Sequence, residues 1–210
     1  METPDYIASL RIVGGDPAVD FVNTLDGVPD RPPTFDTLQS YGDLVAWARH
    51  AGLLTEPHAS RLGTEGRRRP VDARAAHRRA LELRDALYRV LEARALERRP
   101  PARSLELITG FASKALSHGQ LRWAEESFEL RWDDPADLDR VTWLVSYAAT
   151  QLLTSARLER LKRCAACRWV FIDTSKNRSR RWCDMEVCGT HEKARRYVAR
   201  RAAARAAKKE

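Results

Sequence analysis

Apolar positions along the chain recur mostly at helical spacing. In GGDPAVDFVNTL, Asp16 is placed to cap and Pro17 to occupy the first helical position, while Ala18, Phe21, Val22 and Leu25 repeat at i, i+3, i+4 and i+7. This predicts a short amphipathic helix whose other face carries Asp20, Asn23 and Thr24, hydrogen-bonding groups that point the same way. SYGDLVAWARHAG predicts a second helix, with Ser40 and Asp43 in capping positions, a stripe of Leu44, Val45, Trp47 and Ala48, and Gly52 as its stop. A basic loop at GTEGRRRP leads into VDARAAHRRALELRDALYRVLEARALERR, where Ala80, Leu81, Leu87, Tyr88, Leu91 and Ala95 share one side. The Pro100-Pro101 pair ends that helix, because proline lacks the N–H donor and restricts the residue before it. SLELITGFASKALSHG reads as a weaker helix interrupted by Gly110.

The period changes at QLRWAEESFELRWDD. Leu121 and Trp123, then Phe128, Leu130 and Trp132, alternate around a polar AEES turn, which predicts a β-hairpin. Pro135 then opens an apolar helix with Leu138, Val141, Leu144, Val145, Ala148 and Leu152 toward the core, and its charged end, ARLERLKR, delivers the chain to Cys164. No Gly/Ser-rich linker interrupts this stretch, so the junction near residue 160 is expected to be helical and stiff. There is no internal repeat, and the Ala/Arg-rich end RRAAARAAKKE is expected to prolong the last helix. The fold expected is mainly α with a small β-hairpin. A helical N-terminal domain over residues 1–160 precedes a small treble-clef or zinc-ribbon-like module over residues 161–210.

Composition changes this picture in one respect, the charge. With 210 residues, 43% of them hydrophobic, the chain can bury one good-sized core plus a small appendage. METPDYIASLRIVGGDP has no basic segment followed by an apolar run, and no stretch approaches the roughly 18 apolar residues that span a bilayer, so a cytoplasmic protein without membrane contact is expected. The net charge of +8 conceals an asymmetry: residues 160–210 hold 16 Lys and Arg against 5 Asp and Glu, whereas the remainder is slightly acidic. Such a basic end is the footprint of a polyanionic partner, since cations that neutralise phosphates release condensed counterions.

All four cysteines lie in this basic end. Cys164 and Cys167 form Cys-x2-Cys, and after 15 intervening residues Cys183 and Cys188 form Cys-x4-Cys, a spacing suited to one zinc ion held by four thiolates. Alternatives are a redox pair at Cys164 and Cys167, which lacks its βαβ context, four incidental thiols, or His191 replacing one of the last two cysteines. Four thiolates leave no open coordination position, so the metal is read as structural, not catalytic. Between the pairs, RWVFIDT is expected to form a strand with Trp169 and Phe171 on one face, and SRRW to pair back with it.

The run Cys164-x2-Cys167, Phe171, Asp173, Ser175, Asn177, Arg180-Arg181-Trp182-Cys183, Met185, Cys188-Gly189, Lys193, Arg195-Arg196-Tyr197 and Arg200 resembles the CGNR zinc finger. In that family the finger ends bacterial proteins whose N-terminal part is the ABATE domain, and the run from Gly14 to Thr24, with Val19-Asp20-Phe21-Val22-Asn23-Thr24, is similar to the ABATE signature. The resemblance implies a stress-induced transcription regulator with a zinc finger and an N-terminal sensory domain. This chain departs from it at Cys188-Gly189-Thr190-His191, where the family carries Cys-Gly-Asn-Arg. A neutral histidine cannot supply the bidentate fork of a guanidinium, so any contact it makes is expected to be weaker and pH-sensitive, while Thr190 is expected to cap the next helix.

Duplex DNA is the partner expected. SKNRSRR brings Lys176, Asn177, Arg178, Arg180 and Arg181, and the following helix brings His191, Lys193, Arg195, Arg196 and Arg200, with Lys208 further along. Most of these suit phosphate contacts, with Asn177 and Arg178 as candidate base readers. A solvated Ala/Arg helix, an acidic protein partner or a structured RNA are the other readings of the same charges. For a small-molecule effector, the candidate pocket lining is Asp20, Asn23, Thr24, Trp47 and Arg84. An enzyme is not expected, for the chain has no Gly-rich phosphate loop, no His-x-x-x-His, no nucleophile elbow and no paired catalytic carboxylates.

Overall fold

A computed structural model describes residues 3–132, 134 and 137–206, with the backbone alone for Arg196 and residues 202–206. After a single turn, α1 (Asp5–Ala8), comes α2 (Pro17–Val22), capped by the Asp16 carboxylate, which accepts the Ala18 N–H. Two short strands, β1 (Leu25–Asp26) and β2 (Phe35–Asp36), pair antiparallel and close a Pro-rich loop. α3 (Tyr41–His50) begins at Ser40, whose hydroxyl accepts the Asp43 N–H and donates to the Asp43 carboxylate, and it is followed by Gly52 at φ +74°.

The expected loop at GTEGRRRP is helical as far as Arg68. α4 (Glu56–Arg68) runs through Gly63 and Gly66, both buried, and a Cβ on Gly66 would come within 2.8 Å of the Tyr41 ring. Gly66 thus lets α4 approach Tyr41 of α3 closely instead of turning the chain. α5 (Pro70–Ala95) stops before the proline pair: Glu97 takes a left-handed φ of 55° and the Arg98 N–H returns to the Ala93 carbonyl. α6 (Ala102–His118) passes unbroken through Gly110, where a Cβ would meet open space, since one exposed glycine weakens a helix by only about 1 kcal/mol.

The hairpin forms as expected from β3 (Gln120–Ala124) and β4 (Ser127–Arg131), with Leu121 opposite Leu130 and Trp123 opposite Phe128. The helix start expected at Pro135 lies outside the described residues; α7 runs over Arg140–Leu153, with Leu138, Val141, Val145 and Leu152 buried. The junction after it is not a continuing helix. A 3-10 turn (Ala156–Arg160) leads into β5 (Leu161–Arg163), which pairs antiparallel with β6 (Val170–Ile172). RWVFIDT therefore takes its partner from the residues before the first cysteine, not from SRRW. A π-helical turn (Met185–Gly189) then opens directly into α8 (Thr190–Ala206); Lys208 lies outside the described residues.

α5 runs through the middle, in contact with α2, α3, α4, α6 and α7, and Trp47 and Phe21 are fully buried with ring centroids 5.1 Å apart. Leu161, Val170 and Ile172 belong to this same core, so the cysteine-bearing hairpin is built onto the helical body. Among the described residues no helix is long and apolar enough to cross a membrane.

Candidate metal centre and nucleic-acid interface

The turn between β5 and β6 is a thiol knuckle. Cys164 donates its N–H to the Trp169 carbonyl at 2.8 Å, and the Ala166 N–H points at the Cys164 sulfur. The second pair comes from the far end of the module, where Cys183 precedes the π-helical turn and Cys188 lies within it. Asp184 shapes that turn: its carboxylate accepts the Glu186 and Val187 N–H groups, and its carbonyl accepts the Gly189 N–H.

The four sulfurs lie within 4.8 Å of one another, with Cys167 and Cys183 at 3.5 Å and Cys183 and Cys188 at 3.6 Å. A tetrahedron with Zn–S bonds of about 2.3 Å has S···S edges of about 3.8 Å, so the arrangement fits one zinc ion, whereas a disulfide needs about 2.05 Å. Hydrogen bonds from Cys167, Cys183 and Cys188 hold the Cys164 thiol down, while Cys167 and Cys183 are pushed up, each first of all by Cys164. Four thiolates this close need a cation, and a dication supplies it. His191 is not among them: it is exposed on the first turn of α8.

Arg180 locks the knuckle to the second pair. Its guanidinium lies 4.4 Å from the centroid of the buried Phe171 ring and donates to the carbonyls of Trp182, Cys183 and Val13. The basic loop is organised in turn by Asp173, which is fully buried and accepts from Lys162 Nζ at 2.7 Å and from the Ser175 and Arg180 N–H groups. Burial opposes charge on Asp173, but the Lys162 ammonium and the Ser175 donors outweigh it and hold the carboxyl below its ordinary range. Lys162 also donates to the Arg178 carbonyl, in a residue whose φ is +50°.

The polar face of α2 docks this module. Asn23 Nδ2 donates to the Val170 carbonyl at 2.9 Å and its Oδ1 accepts the Val170 N–H at 3.0 Å, so one buried amide side chain pairs with β6 as a neighbouring strand would. The Ile172 N–H donates to the Gly14 carbonyl. Arg11 reaches Asp184 and Glu186, and Arg157 joins Asp16 at 2.8 Å.

Four of the five residues expected to line an effector pocket are therefore engaged through hydrogen bonds to protein, and the fifth, Trp47, is buried in the core with its indole N–H unpartnered among the described residues. Besides Asn23, Asp20 accepts the Gly14 N–H at 2.7 Å, and Thr24 donates to the Phe21 carbonyl and accepts from Arg84. Arg84 forms a bidentate pair with Asp36, both bonds 2.7 Å, and Trp47 is fully buried. The Asn23 amide looked ligand-facing because the strand it pairs with, at Val170, lies 147 residues away in the chain. Burial, above all, pushes the Asp20 carboxyl up to about 6, with Gly14 N–H opposing and Asp16 adding to the shift.

Comparison with known families places this architecture. A model of ABATE, described as "Putative stress-induced transcription regulator", matches residues 15–156, and a model of the CGNR zinc finger matches residues 160–201. The chain belongs to the ABATE family. In this ABATE protein the CGNR finger follows directly, and neither family is a family of enzymes. No curated protein matches the chain.

The candidate nucleic-acid residues of the ABATE protein fall into two groups. Arg180 is occupied within the finger as described, Arg178 has Glu159 at 3.8 Å, and Arg195 pairs with Glu192 at 2.8 Å. Lys176, Arg181, His191, Lys193 and Arg200 are exposed and have no carboxylate partner among the described residues, although Arg181 lies 5.4 Å over the Trp182 ring; Asn177 is exposed beside them. The side chain of Arg196 lies outside the described residues. Thr190 does not cap α8: its hydroxyl donates to the Met185 carbonyl, and Asp184 caps the continuous π-to-α segment. Asp184 and Glu186 thus place two carboxylates at the N-terminal end of this segment, where Arg11 meets them.

A cleft of about 920 Å³ opens between the β1–β2 loop and the finger, with Gly27, Arg31 and Thr34 on one wall and Ala166, Cys167 and His191 on the other. Residue types alone did not reveal it, because its walls meet only when β6 docks on α2. The structural roles of Arg11, Lys162 and Arg180 escaped sequence reasoning too, since each acts on main-chain carbonyls or carboxylates brought near by folding.

Proposed function

We propose that this ABATE protein is a cytoplasmic DNA-binding transcriptional regulator whose zinc finger grips duplex DNA. A small-molecule effector in the cleft between body and finger governs how the finger is presented. The observation that carries the reading is the set of exposed cations that have no carboxylate partner among the described residues, Lys176, Arg181, Lys193 and Arg200, on a unit held by one metal site. α8 supports it, as 17 residues, about 25 Å of helix, whose exposed positions extend beyond the body and whose width suits a major groove of about 12 Å. The effector half rests on the cleft touching both the body loop and His191 at the base of α8.

Fluorescence anisotropy against duplex DNA and structured RNA, across a salt series, tests the first half. Replacing Lys176, Arg181, Lys193 and Arg200 with glutamine is expected to weaken duplex binding and flatten log K against log salt by roughly 0.9 per lost phosphate contact, with zinc content unchanged. Unaltered duplex binding in that variant would defeat the reading, and tighter binding to structured RNA would replace DNA by RNA. For the effector half, thermal shift against a metabolite panel should find a ligand whose stabilisation is lost in Arg31→Ala. Equal stabilisation of both proteins would remove the cleft from the account.

A further inference from the structure

We propose that the β3–β4 hairpin is a pairing surface for a second copy of this chain. One face of the hairpin carries Leu121 and Trp123 on β3 with Leu130 and Phe128 opposite them on β4. At its base this face packs on the body: Leu130 lies against Gly119, and Trp132 is buried with Ala115 and Trp143, donating its indole N–H to the Ala115 carbonyl at 2.7 Å. Beyond the base the same face overhangs. Leu121 is 74% exposed, Trp123 64% and Phe128 72%, and the two rings meet edge-on at 4.8 Å, while Leu116 near the end of α6 is 54% exposed.

The area argues for a partner of the same kind. Aromatic side chains of about 150–250 Å² at these exposures leave on the order of 300 Å² of Trp123 and Phe128 open, and Leu121 brings the hairpin face to roughly 400 Å². A standard interface covers about 800 Å² per partner, of which a little over half is apolar, so one such face on each copy comes close to what a stable dimer needs. It also falls in the range of the largest apolar patch on a soluble protein, which is often an interaction site.

Charge selects the geometry. Were the copies to pair edge to edge about a two-fold axis, the central residue of each strand would meet itself, Arg122 against Arg122 through β3 or Glu129 against Glu129 through β4. Like charges oppose the first, and Glu129 is already engaged by Arg131 at 2.7 Å, so the apolar faces pack instead, in an isologous contact. The basic ends repel one another and take no part. The hairpin is anchored on α6 and α7, whereas the finger is docked on α2 and α5, so pairing leaves both fingers exposed.

Sedimentation velocity of the zinc-loaded full chain, at about 1 to 100 µM protein in about 0.15 M and about 1 M NaCl, reads the result directly. Twice 23.9 kDa is expected in both salts. A Trp123→Thr/Phe128→Thr variant, which keeps β propensity, should sediment as the monomer with unchanged circular dichroism. Leu121→Gln, a milder change at a position with little intrachain burial, should weaken pairing at least about tenfold should the double variant fold poorly. A wild-type monomer throughout would overturn the proposal and leave the surface to a different partner. So would a dimer that dissociates in high salt, which would mean basic tail on acidic body, or variants that remain dimeric.

Discussion

Asn23→Ala separates a pocket residue from a structural one. In the folded chain both polar atoms of the Asn23 amide are committed to Val170, whose N–H and carbonyl face away from β5 and are inaccessible to water. Alanine leaves both main-chain groups buried and unpaired, at about 1–3 kcal/mol each, so a loss of about 2–6 kcal/mol is expected. Against a typical total of about 5–15 kcal/mol this is a large share, and for a chain of this size it corresponds to a Tm lower by roughly 5–15 °C. The assay is thermal and urea unfolding of the zinc-loaded protein without added ligand, repeated after chelation. Zinc should also leave the variant more readily, because β6 carries one flank of the knuckle. Asn23→Asp should not rescue, since its second oxygen would face the Val170 carbonyl. A variant that melts within about 2 °C of wild type with its zinc intact would refute the strand-like role. Loss of stabilisation only when a metabolite is present would return Asn23 to a ligand site.

Two further expectations follow from buried charge. Asp20 titrates near 6 in the folded chain against 3.8 as its ordinary value, so the folded state holds the proton more tightly. Stability contributed by that proton is present in full below about pH 4 and lost as pH rises through 6, a fall on the order of 3 kcal/mol. Asp20→Asn should flatten the stability curve between about pH 4 and 6.5, and parallel curves for the two proteins would contradict this. Arg180→Gln should weaken zinc in a chelator competition while leaving the salt slope of DNA binding unchanged, because its guanidinium is spent on the Val13, Trp182 and Cys183 carbonyls. A flatter salt slope with zinc affinity intact would make Arg180 a phosphate contact after all.

Local chemistry in the sequence anticipated much of the architecture. Asp16-Pro17, Ser40 with Asp43, and the alternation around AEES each specify an element through bonds made within a few residues, and those elements start where expected, although α2 ends at Val22, short of Asn23 and Thr24, and Leu25 belongs to β1 instead of the helix. The cysteine spacing likewise specified a zinc site. Glycines misled in both directions. Gly63 and Gly66 look like a loop yet lie buried inside α4, Gly66 against the Tyr41 ring, and Gly110 looks like a break yet is tolerated at an exposed position. The strand partner of RWVFIDT was misjudged because equally short segments flank it on both sides, and only LKR can also bury Leu161 in the main core.

The sequence by itself determined the metal and the sign of the surface. Ligand type and spacing are local properties, and charge depends on composition alone. Only the tertiary structure decided which polar groups remain available for function. Asp20, Asn23, Thr24, Arg84 and Arg180 have the chemistry of binding residues, but a buried donor or acceptor must find a partner. Here those partners are Gly14, Val170, Asp36 and the carbonyls beside the cysteines, some adjacent in the chain and others more than a hundred residues away.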